Sequence, residues 1–199
     1  MGLEFVYTPG QSPIDEDEKE GLLIGSISTL AELNQAEYLN IQNAIEWALN
    51  RRRFQARDIL SETFVRELHK RMFRDVWRWA GEFRKTNKNI GVDKLEIQVH
   101  LRQLIDDAKF WQEHNTFSPD EMAIRFKHRI VSIHCFPNGN GRHSRLMADI
   151  IAQHIFASNK FNWGAVDFTK KTNSRQIYLD ALHGADKNDL SALIRFARS

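Results

Sequence analysis

Apolar residues recur at every third or fourth position along most of the chain, a period that predicts helices rather than strands. Ile41, Ile45, Ala48 and Leu49 form one such stripe, and Phe64, Val65, Leu68 and Met72 form a second. Ile97, Leu101, Leu104, Ile105, Ala108 and Trp111 make the third, and Met122, Phe126 and Ile130 the fourth. Another runs through Leu146, Met147, Ile150, Ile151 and Ile155, and a last helix is predicted around Leu190 to Phe196. Start signals support these assignments. Ser118 is placed to cap a helix, with Pro119 in its first turn and Glu121 completing the box. Thr29 with Glu32, and Asn34 with Glu37, each fit a capping box, which predicts a short turn of helix that breaks before a longer one. The expected class is mainly α, in a single domain.

The intervals between the stripes are of different kinds. Residues 1–27 contain Pro9, Pro13 and the acidic run Asp15 to Glu18, and are expected to form an irregular arm. Residues 74–84 are aromatic-rich and interrupted by Gly81. Residues 85–93, KTNKNIGVD, are polar and turn-prone, and read as a loop or small β-hairpin.

Composition narrows the chemistry. At 199 residues, 42% hydrophobic and 27% charged, the chain reads as one ordinary globular domain. A net charge of +2, with scattered basic residues, gives no support to nucleic-acid binding. The run Arg51 to Arg53 follows an apolar stripe and fits a helix C-terminus that favours cations. Cys135 is the one cysteine, so no internal disulfide forms, and the histidines lack a metal-ligand spacing. No apolar run approaches a membrane span and the N-terminus is acidic, so the expected location is cytoplasmic.

The stretch His134 to Arg145, HCFPNGNGRHSR, carries the candidate chemistry. Its Asn-Gly pairs would suit a hairpin, but helical periodicity runs up to Ile133 and resumes by Leu146, so the stretch joins two helices. A glycine-rich loop that opens a helix offers free N–H groups to an anion. Arg142 and Arg145 lie three apart on one face of that helix and add charge. His134, just before the loop, is placed to act as a general base.

This stretch resembles the signature of Fic-domain proteins, His-x-Phe-x-(Asp/Glu)-Gly-Asn-Gly-Arg-x-x-Arg, through His134, Phe136, Gly139, Asn140, Gly141, Arg142 and Arg145. Leu68 to Arg84 resembles the family's segment before its substrate-binding flap, and Ala181 to Phe196 its closing segment. The subgroup it is most similar to is the one named mobile mystery protein B. The resemblance implies a Fic-type helical bundle over residues 28–199 with a small β-hairpin flap at residues 85–93.

It also implies an activity: transfer of AMP from ATP, with Mg²⁺, onto a Ser, Thr or Tyr hydroxyl of a target protein. His134 would be the base, while Asn138, Gly139, Asn140, Gly141, Arg142 and Arg145 would meet the phosphates. Phe136 would anchor the loop, and Cys135 would be buried packing. Asn138 stands where the family's metal-binding acid is expected, so the metal role there is open. The other reading is therefore a catalytically weak module that binds nucleotide or a partner. Some toxin–antitoxin systems contain Fic proteins, so a regulatory protein is an implied partner. Residues 28–34 hold Ser28 and Glu32 at the spacing of the family's inhibitory helix, whose glutamate would pair with Arg145; equally, Glu32 completes a helix cap on Thr29.

Overall fold

The computed structural model describes residues 15–51, 53–164 and 174–199. Helices dominate in the order α1 (Glu16–Lys19), α2 (Leu30–Ile45), α3 (Ala56–Ile59), α4 (Glu62–Phe73), α5 (Ile97–Glu113), α6 (Pro119–Ile133), α7 (Asn140–Ile150), α8 (Ser174–Asp186) and α9 (Ser191–Arg198). Helices α2 and α7 each run on into a π-helical turn, Glu46–Arg51 and Ile151–Ile155. Among the described residues, the β pairing consists of one isolated bridge between Leu22 and Trp77. No helix is long and apolar enough to cross a membrane among them.

The caps read from the sequence at Thr29 and Ser118 are in place, and Ser61 adds a third. Thr29 Oγ1 accepts from the Glu32 N–H, Ser61 Oγ from that of Phe64, and Ser118 Oγ from that of Glu121. The break expected at Asn34 is absent, and α2 is continuous from Leu30. Leu33, Glu37, Asn40 and Ala44 are all buried along one face of α2. Docking that face against α4 outweighs the local preference of Asn34 for a cap. The arm is also more ordered than expected: α1 forms within it, Leu23 N–H bonds the Val76 carbonyl, and Arg78 N–H bonds that of Gly21. Its first part, residues 1–14, lies outside the described residues.

The core gathers one face from each long helix. Leu68, Met72, Phe73, Leu101, Leu104, Phe126, Met147 and Ile150 are all within it. Phe136, from the loop, is fully buried among them, as expected of an anchor. Burying such a side chain contributes about 1.5–3 kcal/mol. The loop is therefore held by the same core that packs α6 against α7.

The expected β-hairpin at residues 85–93 does not form, and the segment is irregular. Its shape comes from Arg84, which is 3% exposed. Arg84 Nε donates to the His134 carbonyl at 2.6 Å, Nη1 to that of Thr86 at 2.8 Å, and Nη2 to that of Val92. A guanidinium that gathers the carbonyls at both ends of the segment replaces the cross-strand ladder a hairpin would need. Lys88, midway, is clamped by Asp15 at 2.7 Å and Glu18 at 2.6 Å. The arm thus braces this segment beside the loop.

Candidate active site

Helix α6 ends at His134, whose φ of 57° and ψ of 60° place it in the left-handed region. That conformation reverses the chain and turns residues 135–139 back over the start of α7. Arg84 secures the turn from the other side, because its backbone N–H also bonds the Cys135 carbonyl at 3.0 Å. His134 is 4% exposed. Burial, then the nearby Arg84 and Lys88 charges, push its imidazole down to about 4. Near neutral pH it is therefore uncharged and able to accept a proton.

Gly139 precedes α7 with φ of 78°. A Cβ there would stand 2.4 Å from Phe73 Cζ, so the turn requires glycine for both conformation and space. Gly141 is different. It lies in the first helical turn, and a Cβ would meet nothing nearer than Arg145 Nη1 at 4.0 Å. Packing gives no reason for glycine there, whereas close approach of a ligand does.

The Asn140 side chain does not face the loop mouth. Its Oδ1 accepts from the Phe136 N–H at 3.0 Å and its Nδ2 donates to the Phe136 carbonyl at 2.8 Å. The amide expected to meet phosphate instead closes the loop onto its aromatic anchor, leaving Asn140 only its backbone N–H to offer an anion. Asn138 Oδ1 accepts from the Gly139 N–H and, at 3.4 Å, from Arg142 Nη2. The side-chain oxygen thus occupies donors that would otherwise meet an anion.

The arginines have separate environments. Arg142 Nη1 pairs with Glu37 Oε2 at 2.6 Å, and the other oxygen of that carboxylate accepts from the Trp77 indole at 2.7 Å. Arg145 lies 5.9 Å from the Tyr178 ring, and among the described residues no carboxylate pairs with it. Lys127, fully buried, donates to the Tyr178 hydroxyl at 2.7 Å. Burial alone would raise the Tyr178 phenol, but the Lys127 and Arg145 charges outweigh it and leave the pKa lowered. Two cations thus converge on Tyr178.

Glu32 does not reach Arg145. Its carboxylate accepts from the Ser28 N–H at 2.8 Å, the Ser28 hydroxyl at 3.1 Å and the Thr29 N–H at 3.0 Å. These bonds hold its pKa below the usual range and make it a cap of α2. The glutamate that does reach a signature arginine is Glu37, one helical turn further on. Its signal was present in the sequence, since Glu37 falls on the same helical face as Leu33 and Ala44, where a carboxylate needs a partner.

The residues do not fit a magnesium ion held by the protein. Mg²⁺ requires hard oxygen ligands, usually including a carboxylate. Asn138 Oδ1 is engaged by an N–H and a guanidinium, and the nearby Glu37 carboxylate is shared between Arg142 and Trp77. No cluster of three His, Cys, Asp or Glu groups able to hold a metal occurs among the described residues.

The chain is similar to several known proteins. The model of the Fic/DOC family matches residues 59–152. A curated relative, protein adenylyltransferase Fic of Aedes aegypti, is 24% identical over 164 residues, covering 80% of this chain and 31% of that protein. The chain thus spans about a third of the length of that relative. The N-terminal Fic domain of a VirB-translocated Bep effector protein from Bartonella quintana is similar with a TM-score of 0.67 at 16% identity, covering 91% of both chains. BepC of Bartonella tribocorum, a structure with bound AMPPNP, gives a TM-score of 0.62 at 16% identity, covering 91% of this chain and 95% of that one.

Proposed function

We propose, from the match of residues 59–152 to the model of the Fic/DOC family, that the protein transfers AMP from ATP to a hydroxyl of a target protein. The observation that carries this reading is a neutral imidazole, His134, joined by one short loop to a helix N-terminus that bears Gly139, Gly141, Arg142 and Arg145. Backbone N–H groups of the first turn and the arginines take the phosphates. His134 removes the proton of a Ser, Thr or Tyr hydroxyl, the oxygen attacks the α-phosphorus, and pyrophosphate leaves. The incoming anion offsets the Arg84 and Lys88 charges, which raises the proton affinity of the imidazole as the reaction needs. The target backbone would lie along residues 85–93. Mg²⁺ enters this reading only as the counterion that ATP brings with it.

Mass spectrometry of the protein incubated with ATP, Mg²⁺ and a cell extract tests the proposal, because a mass gain of AMP on any protein requires transfer. If the protein binds ATP and no such gain occurs, the second reading stands, a module that binds nucleotide or a regulatory partner. The observation that favours that second reading is the occupation of the Gly139 N–H and Arg142 by Asn138 and Glu37.

Two substitutions follow. Gly141→Ala raises helix stability by roughly 0.5–1 kcal/mol, because no neighbour opposes the methyl. It weakens ATP binding, because the methyl stands where the phosphates approach the backbone. A thermal melt and a binding titration on one sample check both signs; a stabilised variant with unchanged affinity would take Gly141 out of the site. Asn138→Asp places a charge on the oxygen that already faces the Gly139 N–H and Arg142. The carboxylate holds those donors more tightly and repels the triphosphate. ATP affinity falls by about 1 kcal/mol, roughly fivefold in Kd, and more at low salt. A Mg²⁺ titration of the rate decides the point: a lower Mg²⁺ requirement in the variant would instead establish a metal position at residue 138.

A further inference from the structure

His69 lies outside the signature, on α4, and is fully buried. Its two ring nitrogens have different partners. The Gly81 N–H points at Nδ1 at 3.0 Å, and since an N–H only donates, Nδ1 is the accepting nitrogen. The Asn138 carbonyl lies 3.0 Å from Nε2, and since a carbonyl only accepts, Nε2 carries the proton. The two bonds fix one neutral tautomer. Burial, then the neighbouring His143, keep the imidazole well below its usual pKa, in agreement with that state. The ring is stacked on Phe136 with centroids 3.7 Å apart and 15° between planes, and Phe73 lies 4.7 Å away.

The bond to Asn138 has a directional effect. In a trans peptide the carbonyl and the following N–H point in opposite directions. Drawing the Asn138 carbonyl inward to His69 turns the Gly139 N–H outward, toward Asn138 Oδ1 and Arg142. That N–H, which Asn138 Oδ1 takes up in this structure, is the first of the donors at the start of α7 that have no intrahelical partner. The same ring bonds Gly81, in the turn that leads to Arg84, and Arg84 holds the His134 carbonyl. We infer that His69 is the positioning residue of the phosphate loop: its Nε2–H holds the Asn138–Gly139 peptide so that the Gly139 N–H faces an incoming anion. The inference rests on the proposed function only for the identity of that anion.

Two substitutions separate positioning from packing. An asparagine amide falls near Nδ1, so His69→Asn keeps a partner for Gly81 and releases Asn138. A glutamine amide reaches toward Nε2, so His69→Gln keeps the Asn138 bond and releases Gly81. Each variant loses one buried hydrogen bond, so a merely structural His69 predicts equal effects from both. Inorganic pyrophosphate is the probe, titrated calorimetrically, with AMP transfer followed in parallel. His69→Asn weakens pyrophosphate binding roughly tenfold and lowers kcat, whereas His69→Gln stays within about twofold of the parent and melts at a similar temperature. Equal losses in both variants, or full pyrophosphate affinity in folded His69→Asn, overturn the inference.

If His69→Asn does not fold, the unaltered chain gives the answer by NMR. Pyrophosphate shifts the Nε2 proton of His69, while that of His154, bonded to the Ala48 carbonyl at 2.7 Å, stays in place. An unmoved His69 proton overturns the inference, as does an unaltered chain that binds no pyrophosphate. A chain that binds pyrophosphate and transfers no AMP overturns the transfer reading alone.

Discussion

Replacing His134 lowers the rate of AMP transfer by about 10²–10⁴-fold and leaves nucleotide affinity within roughly twofold of its original value. The separation follows from the geometry, since the phosphate donors belong to α7 and the base ends α6. Asparagine is the better replacement than alanine, because the position has φ of 57° and asparagine tolerates the left-handed region. The pH profile adds a second, independent sign. A base must be uncharged to act, and His134 is pushed down to about 4 by burial and by Arg84 and Lys88. The acid limb of kcat/KM for the free protein therefore falls near that value, below the ~6.5 of an ordinary histidine. Removing the Lys88 charge lifts one of the opposing influences, so Lys88→Met moves the limb upward. Rates measured over the pH range in which the circular dichroism is constant give the test. Full activity in His134→Asn would eliminate His134 as the base, whereas a limb near ~6.5 in the parent chain would mean that burial and the two cations do not depress its proton affinity.

Gly139→Ala produces the largest expected loss of stability among single-methyl changes in the loop. The left-handed φ of 78° costs an alanine about 1–2 kcal/mol. Its methyl would also stand 2.4 Å and 2.5 Å from Phe73 Cζ and Cε2, and overpacking of a tight core costs a further 1–3 kcal/mol or so. The two add to roughly 2–5 kcal/mol, a large share of the stability of a domain of this size. Urea unfolding reads it as a lower midpoint at unchanged slope. Phe73→Leu in the same chain returns the overpacking part and not the backbone part. A midpoint equal to that of the parent would mean that the Phe73 ring does not hold the loop in place.

The local features of this fold were readable in the sequence. The caps at Thr29 and Ser118 depend on neighbours three residues away, and the helical stripes depend on period alone. The long-range features were not. Arg84 binds main-chain carbonyls of residues 86, 92 and 134, which leave no trace in side-chain spacing. The irregular path of residues 85–93 follows from those bonds, so a turn-rich segment was expected as a hairpin. Glu32 and Glu37 both fit capping boxes, and burial distinguishes them. Glu32 stays at the exposed start of α2, whereas Glu37 is carried inward with Leu33 and meets Arg142. The loop itself was legible because its glycines, base and arginines lie within one continuous stretch. His69 was not, because it reaches the loop from α4 through a backbone carbonyl.

Cys135 follows the base directly in the chain, and it is fully buried with its thiol pushed up to about 12 by burial. At neutral pH roughly one molecule in 10⁵ would carry the thiolate, the form that alkylating agents and peroxides attack. The residue beside the proton acceptor is thus chemically silent while the chain is folded. The loop keeps its shape under oxidising and reducing conditions alike, and a reagent that does modify Cys135 reports that α6 and α7 have come apart.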